Sequence, residues 1–334
     1  MNFRKYRPQP RLLTVVSIII LLLLGVVSYG LTRIAATTLQ QKTANEFSWT
    51  TGKTSEGLQH SMNHFATVLY MGRSFVLNSP EMTQTTWSGF FRNQDIFGQF
   101  PGMNSVNYIQ LVPDSQKAAF VAEKRRLPEF GASYKVIPEG TRDVYGLGIY
   151  TLSKNNVPLS GFDVYSTLDR RLTYQTALGT GQPTVSPQTQ LNTDHRGMFL
   201  VLPVVLSGDR SSFVNITLYT DDFFNAAIPR EDLDKMAIRI TDITVENKQQ
   251  VLYATKNWEG SQQDLTKKDK INFGGRVWSV EYRAQHTYIQ QIGYKYFPYL
   301  VFVAGTMLAA ILILILYIIF RTIPKDKPRR KLKG

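Results

Sequence analysis

The sequence lacks cysteine entirely and has only four histidines among its 334 residues. The missing cysteines exclude disulfide frameworks, cysteine-ligated zinc, iron–sulfur clusters and thiol nucleophiles. A Walker loop, a Gly-rich dinucleotide turn and a Gly-x-Ser-x-Gly elbow are also missing. His60 and His64 have the spacing of a helical metal pair, but the glutamate of a zinc-protease helix is lacking, so we interpret them as helix surface. The sequence therefore predicts no enzyme, no metal and no cofactor.

Charge is missing from two long apolar stretches, residues 12–32 and 296–320. A helix needs about 20 apolar residues to cross a bilayer core of ~30 Å, so both stretches are predicted to be transmembrane helices. A cleaved signal peptide is the alternative for the first stretch, with Ser28-Tyr29-Gly30 as a cleavage site. The stretch is longer than the roughly 7–15 apolar residues of a signal peptide, which favours an uncleaved anchor.

The flanks of these two stretches are basic. Residues 1–11 carry four positive charges and no negative one, and residues 321–334 carry seven against one. Short basic flanks stay on the cytoplasmic side, so both termini are predicted inside and residues 33–295 outside, in the cytoplasmic (plasma) membrane. The two tails account for +10 of the formal net charge of +13. The basic balance therefore predicts contact with anionic membrane lipid and no nucleic-acid partner.

Proline is absent from residues 33–78, which precede a polar break. Apolar residues recur there at alternating spacings of four and three: Leu58, Met62, Phe65, Leu69 and Val76, with Gly72 between the last two. This seven-residue repeat predicts a long helix with one buried seam. We expect a helical stalk over residues 33–94 that forms a homodimer. Packing of the seam against the chain's own domain remains the alternative.

After Pro101-Gly102 the pattern changes to alternation of period two. Residues 95–210 are predicted to form one α+β block, with Ser115 as a helix N-cap, and residues 211–292 a smaller one with a hairpin at Gly274-Gly275. The predicted strands are 106–111, 134–137, 144–150, 160–164, 184–191, 197–205, 213–219, 237–245, 251–254 and 276–282, the last of which is joined to Ile271 by the hairpin. The predicted helices are 81–93, 115–126, 167–178, 221–227 and a continuous run from 287 into the second membrane helix. Residues 256–270 are predicted to be a loop.

An ordered set of short motifs runs through the first block. It comprises Pro101-Gly102, Asn107-Tyr108, Arg142-Asp143-x-Tyr145, Gly161-Phe162-Asp163, Arg170-Arg171, Ala177, Thr180-Gly181, Ser186 and Phe199-Leu200-Val201-Leu202-Pro203-Val204. This order, between two membrane helices, resembles the CHASE family, the extracellular sensor domain of cytokinin-receptor histidine kinases and many bacterial signalling proteins. The resemblance covers about residues 94–206. It implies a long stalk helix followed by tandem PAS-like domains, with a small-molecule ligand in the membrane-distal one.

The resemblance also implies site residues. Asp163 stands where the aspartate of the plant receptors hydrogen-bonds an adenine-type ligand, and Thr180 stands where those receptors carry a threonine needed for ligand binding. Thr180 follows Gly179 here, so loop geometry is the alternative for its role. Weaker pocket candidates, chosen by position, are Tyr108, Thr184, Ser186 and Leu200. The alternative for Asp163 is structural: it caps the helix that begins near Thr167 or pairs with Arg170 or Arg171.

The residues behind the second membrane stretch number 14, too few to fold into an output domain. We therefore expect a sensor that relays ligand binding through the stalk and the second membrane helix to a separate or missing cytoplasmic partner. Two alternatives remain. The chain could be the sensor portion of a longer histidine kinase or diguanylate cyclase, or it could be a non-sensing scaffold that binds another protein outside the cell.

Overall fold

The computed structural model describes residues 10–79, 81–191, 194–205, 211–261, 265–285 and 296–322. The chain divides into two compact units, Met1–Phe47 with His286–Gly334 and Ser48–Gln285. Most of the two predicted basic tails, and the predicted helical run from 287 to 295, lie outside the described residues.

Within the described residues, two helices are long and apolar enough to cross a bilayer. Helix α1 spans Pro10–Asn78, and its apolar window has a mean hydropathy of 2.5. The last helix spans Phe297–Thr322, with a mean hydropathy of 2.8. The two helices touch within the first unit, because a side chain added at Gly305 would collide with Ser28, which is buried. Both match the predicted membrane stretches.

The second unit contains two antiparallel sheets. The first sheet has the strand order β2-β1-β6-β5-β3, and β4 pairs with β5. Its elements are α2 (Gln84–Asn93), α3 (Ile96–Gln99), β1 (Met103–Pro113), α4 (Asp114–Arg126), β2 (Val144–Ser153), a 3₁₀ turn (Val164–Ser166), α5 (Leu168–Thr180), β3 (Thr184–Val185), β4 (Thr189–Gln190), β5 (Arg196–Val205), β6 (Ser211–Tyr219) and α6 (Thr220–Ala227). Strand β1 is an inner strand of the sheet, and along the chain the helices α4 and α5 connect successive strands, as in PAS-like sensor domains.

The second sheet has the order β8-β7-β10-β9. Its elements are α7 (Arg230–Leu233), β7 (Met236–Asp242), β8 (Gln250–Ala254), β9 (Thr266–Phe273) and β10 (Arg276–Ala284), and the last helix, Phe297–Thr322, is α8. Gly274 and Gly275 form the predicted hairpin with φ of 56° and 79°, where only glycine avoids a steric cost. The two sheets confirm the α+β prediction.

Several predicted boundaries need correction. The split at residue 211 is wrong, because β6 pairs with both β1 and β5 and so completes the first sheet. The predicted loop over 256–270 is wrong at its end, since Thr266–Lys270 pairs with β10. The segments 134–137 and 160–164 meet only in isolated bridges. Ser115 is not an N-cap, because α4 begins one residue earlier, after Pro113.

The predicted seam of α1 is buried within the chain itself. The residues Leu58, Met62, Phe65, Leu69 and Val76 are each at most 7% exposed. A side chain added at Gly72 would meet Val214 of β6 at 2.7 Å, so the helix lies directly on the first sheet. The seven-residue repeat therefore reflects packing on the chain's own domain, and it gives no support to the predicted homodimer.

Candidate functional site

Asp163, the first candidate from the resemblance, is fully buried beside β2. Its Oδ1 accepts hydrogen bonds from the backbone N–H of Gly146 and of Tyr165, both at 2.9 Å. Its Oδ2 lies 3.2 Å from Nη1 of Arg142. Oδ1 therefore has two hydrogen-bond donors, whereas Oδ2 is held by the Arg142 charge without hydrogen-bond geometry. Through Oδ1 the residue caps the 3₁₀ turn that follows it.

The partner of Asp163 differs from those expected. Arg142, which is separated from it by the whole of β2, forms the ion pair. Arg170 instead stacks on the rings of Phe162 and Phe199, at 5.2 and 5.0 Å. The pair of Arg142 with Asp163 could not be predicted from the sequence, because the two residues meet only where the segment before β2 folds back.

The charge of Asp163 lies in an unfavourable environment. Burial raises the pKa of the Asp163 carboxyl, while the two backbone N–H groups and the Arg142 guanidinium oppose that rise. Burial exceeds these opposing effects, so the pKa of Asp163 lies above its ordinary value. The folded protein therefore holds a proton on Asp163 more tightly than an exposed aspartate would.

Polar contacts extend from this ion pair through a tyrosine. The Tyr145 hydroxyl donates to Oδ1 of Asp114 at 2.9 Å and accepts from the Arg142 backbone N–H and from Nζ of Lys117, both at 3.1 Å. Nζ of Lys117 also lies over the Tyr145 ring at 4.3 Å. The network fixes residues 140–145, so the loop that carries Arg142 is held from both ends.

The sheet face next to Asp163 is tightly filled. A side chain added at Gly146 would lie 2.6 Å from Cδ1 of Tyr165, and one added at Gly148 would collide with the Leu159 carbonyl oxygen. The remaining surface of that face is covered by a buried cluster of residues from β1, β5, β6, the 3₁₀ turn and α5: Ile109, Val164, Tyr165, Tyr174, Ala177, Val201 and Phe213. The cluster fills the space between this sheet face and α5.

The other five predicted residues do not converge on one site. Tyr108 lies on the α2 side of the sheet, with its ring 6.1 Å from those of Trp87 and Tyr150. Leu200 is fully buried and points to the same side, since its neighbours Phe199 and Val201 pack on the α5 cluster. Their ligand contacts remain predictions.

The three polar candidates lie near the end of α5. Thr180 is exposed, and its hydroxyl donates to the Thr176 carbonyl at 3.0 Å, which orders the end of the helix before Gly181. The Ser186 hydroxyl accepts from the Phe199 N–H at 2.9 Å. Thr184 is 6% exposed and lines a cleft of about 540 Å³ between α5 and the second sheet. The cited hydrogen bonds of Thr180 and Ser186 are made to nearby backbone groups. The ligand contacts of all three residues remain predictions.

A larger groove lies on the outer side of α5, and we call it the α5 groove. Its volume is about 760 Å³. It is lined by Leu111, Thr141, Arg142, Asp143, Val144, Tyr165, Leu168, Arg171, Leu172, Gln175 and Leu178. Arg142 thus faces the groove and also holds Asp163, so the predicted site and the groove share a residue. The sequence signal for the groove is the recurrence of its α5 lining residues at spacings of three and four, which places them on one face of the helix: Leu168, Arg171, Leu172, Gln175 and Leu178.

Metal binding finds no support in the described residues. No group of three or more histidine, aspartate or glutamate side chains in the described parts of the chain could hold a metal ion. The rings of His60 and His64 lie parallel on α1 at 6.4 Å, and His64 stacks on Phe100 at 4.5 Å.

Solved structures with a similar arrangement are sensor domains. An extracellular ligand-binding receptor from Desulfohalobium retbaense has 12% identity and a TM-score of 0.49, over 71% of this chain and 40% of that one. The ligand-binding domain of the Pseudomonas aeruginosa amino-acid chemoreceptor PctC, solved with GABA, has 11% identity and a TM-score of 0.45, over 73% and 100%. A domain of a sensory box/GGDEF family protein from Vibrio parahaemolyticus has 6% identity and a TM-score of 0.46, over 75% and 98%.

Comparison by sequence gives a family. No curated protein matches the chain. The CHASE domain family profile matches residues 80–253, a wider span than the motifs alone indicate. The match covers just over half of the chain and includes the whole of the first sheet. The chain therefore belongs to the CHASE domain family.

Proposed function

We propose that this chain is a membrane-anchored sensor that holds a small molecule in the α5 groove of its first sheet domain. The observation that carries the proposal is the groove itself, whose volume of about 760 Å³ falls in the usual range for small-molecule sites. Its wall combines aliphatic side chains with two arginines, a threonine and a glutamine. The proposal assigns no catalytic step to the chain.

The proposed topology places both termini in the cytoplasm and residues 33–295 outside. Its support is the basic composition of residues 1–11 and 321–334 next to two helices of membrane-spanning length. In this arrangement the ligand comes from outside the membrane, and α1 and α8 are the two connections to the inside.

The proposed relay runs from the groove through the second sheet. Within the Ser48–Gln285 unit, the Val185 N–H donates to the Gly274 carbonyl at 2.9 Å, which joins β3 to the hairpin of the second sheet. Helix α1 contacts the same sheet through the Ser55 hydroxyl, 2.9 Å from Oδ2 of Asp269. A ligand shifts such a system only by its difference in affinity between two states. A homodimer and a separate cytoplasmic partner belong to the same proposal.

The ligand contacts proposed for Asp163, Tyr108, Thr180, Thr184, Ser186 and Leu200 follow from the resemblance alone. If the ligand lies in the α5 groove, Asp163 acts on it through Arg142, which Asp163 holds at the groove wall. Asp163 is then a positioning residue.

The test is mass spectrometry of small molecules that co-purify with the full chain in phosphatidylcholine nanodiscs. Gln175→Trp fills the groove from an exposed position on α5. Val157→Trp, at a residue that is 61% exposed and does not line the groove, is the matched control. We expect a compound enriched with the wild type and with Val157→Trp and absent with Gln175→Trp. Equal profiles for all three proteins would contradict the proposal.

A further inference from the structure

The lining of the α5 groove has two chemically different parts. One part is aliphatic and consists of Leu111, Val144, Leu168, Leu172 and Leu178. The other part is polar and consists of Thr141, Arg142, Asp143, Tyr165, Arg171 and Gln175. A ligand that matches both parts has an apolar body and a polar or charged end.

Helix α5 exposes large apolar side chains on the side that faces away from the sheet. Its sheet-facing side is formed by Thr173, Tyr174 and Ala177. On the groove side, Leu168 is 59% exposed, Leu172 49% and Leu178 37%. Leu168, Leu172 and Leu178 expose hydrocarbon along one wall of the groove, with Arg171 and Gln175 between them. Apolar surface gathered in a groove marks a binding site more often than isolated exposed leucines do.

The two arginines of the groove differ in their pairing. Arg142 is already paired with Asp163. Arg171 is half-buried, and no carboxylate lies within 4.0 Å of its guanidinium among the residues that the structure describes. Asp143, the one carboxylate of the lining, is exposed and forms no ion pair with it. A partly buried cation without an anion next to apolar surface is complementary to an anionic group that carries hydrocarbon.

We propose that the α5 groove binds a small amphipathic carboxylate, with the carboxylate on Arg171 and the hydrocarbon along Leu168, Leu172 and Leu178. Guanidinium and carboxylate match in a two-pronged geometry, which fixes the orientation of the ligand. Asp143 repels the bound anion and so limits its affinity. This inference rests on the proposed function and adds the chemical class of the ligand.

The test uses octanoate as the probe and isothermal titration calorimetry on the full chain in phosphatidylcholine nanodiscs, with empty nanodiscs as the blank. We expect Arg171→Gln to weaken octanoate binding at least tenfold, because a charged hydrogen-bond pair is lost. We expect Asp143→Asn to strengthen binding several-fold. Arg126→Gln, at an exposed arginine at the end of α4, is the matched control and leaves the affinity unchanged.

Two neutral or cationic analogues complete the test. Octan-1-ol and octylammonium keep the hydrocarbon, and both are expected to bind at least tenfold more weakly than octanoate. Octanoate binding that is absent, that is unchanged in Arg171→Gln or that weakens in Asp143→Asn overturns the inference. The co-purification test is independent of these results. If a compound of another class co-purifies with the wild type and is absent only with Gln175→Trp, the proposed function is supported and the carboxylate inference is contradicted.

Discussion

At the scale of single residues, the position that the family motif marks most clearly is a buried structural carboxylate. Asp163 holds two backbone N–H groups and one guanidinium, and it does so at zero exposure. Removing one partner of a buried pair is costly, because the remaining charge loses its compensation. The structural role of Asp163 can therefore be separated from a ligand role by substitutions of graded severity.

We expect Asp163→Ala to lower the stability of the protein by about 3–5 kcal/mol, since Arg142 is left unpaired and two N–H groups lose their acceptor. Asp163→Asn keeps an acceptor oxygen for Gly146 and Tyr165, so its cost is smaller. Thermal unfolding of the full chain measures both. Asp143→Asn, at the neighbouring exposed carboxylate, is the control and shifts stability by less than about 0.5 kcal/mol. Equal costs for Ala and Asn would contradict the capping role.

The raised pKa of Asp163 fixes the sign of a pH effect. Burial raises the pKa of Asp163 above its ordinary value of 3.8, so the folded state binds the proton more tightly than the unfolded state. The stability that Asp163 contributes is then complete below about pH 3.8 and is lost as the pH rises through the folded-state pKa. We expect the stability of the wild type relative to Asp163→Asn to fall as the pH is raised above about 4. A rise over that range would mean that the attraction of the Arg142 guanidinium outweighs the effect of burial on the pKa of Asp163.

At the scale of elements, glycines on β2 permit the close approach of the segment that carries Asp163. The would-be side chain of Gly146 lies 2.6 Å from Tyr165 and 2.8 Å from Val164. Gly179, on α5, has nothing within 4 Å of the same position. Substitution of Gly146 therefore tests side-chain packing, whereas substitution of Gly179 tests helix propensity.

We expect Gly146→Ala to destabilise the protein by roughly 1–3 kcal/mol through overpacking against Tyr165. Gly179→Ala is expected to be neutral or to stabilise by up to about 1 kcal/mol, because alanine is the better helix former. Thermal unfolding of both variants under the same conditions gives the comparison. A harmless Gly146→Ala would show that the 3₁₀ turn is free to move away from β2.

The seam of α1 offers a second test at the same scale. Leu69 is fully buried, whereas Leu77, on the same helix, is 54% exposed. We expect Leu69→Ala to cost about 2–5 kcal/mol, the usual range for a buried leucine that leaves a cavity. Leu77→Ala should cost less than about 1 kcal/mol. If the two changes lowered the unfolding temperature equally, α1 would not be packed on the first sheet in solution.

At the scale of the whole molecule, the proposed topology can be read directly because the chain has no cysteine. Thr85→Cys places one thiol at an exposed position of α2, and Gly334→Cys places one at the last residue. We expect a membrane-impermeant maleimide to label Thr85→Cys in intact cells and Gly334→Cys only after permeabilisation. The cysteine-free wild type is the control for background labelling. The reverse pattern would place the sensor domain in the cytoplasm and reject the proposed function.

The family and the sequence of element types were accessible without coordinates. Apolar runs of membrane-spanning length, the period-two strands and the Gly274-Gly275 turn depend on residues that are near one another in the chain, and the structure places them as predicted. Partner choice was not accessible in the same way. Periodicity could not show whether the apolar seam of α1 meets a second copy or the chain's own sheet, because both bury the same residues.

The remaining differences share one physical cause, namely contacts between residues that are distant in sequence. Strand β6 completes the first sheet because its edges pair with β1 and β5, a choice that its own alternation does not encode. Asp163 pairs with Arg142 and not with the adjacent arginines, because α5 turns Arg170 onto two aromatic rings. The local pattern thus specified which elements form and how apolar they are. Only the folded arrangement, through long-range pairing and burial, specified which side chains meet and where a groove remains.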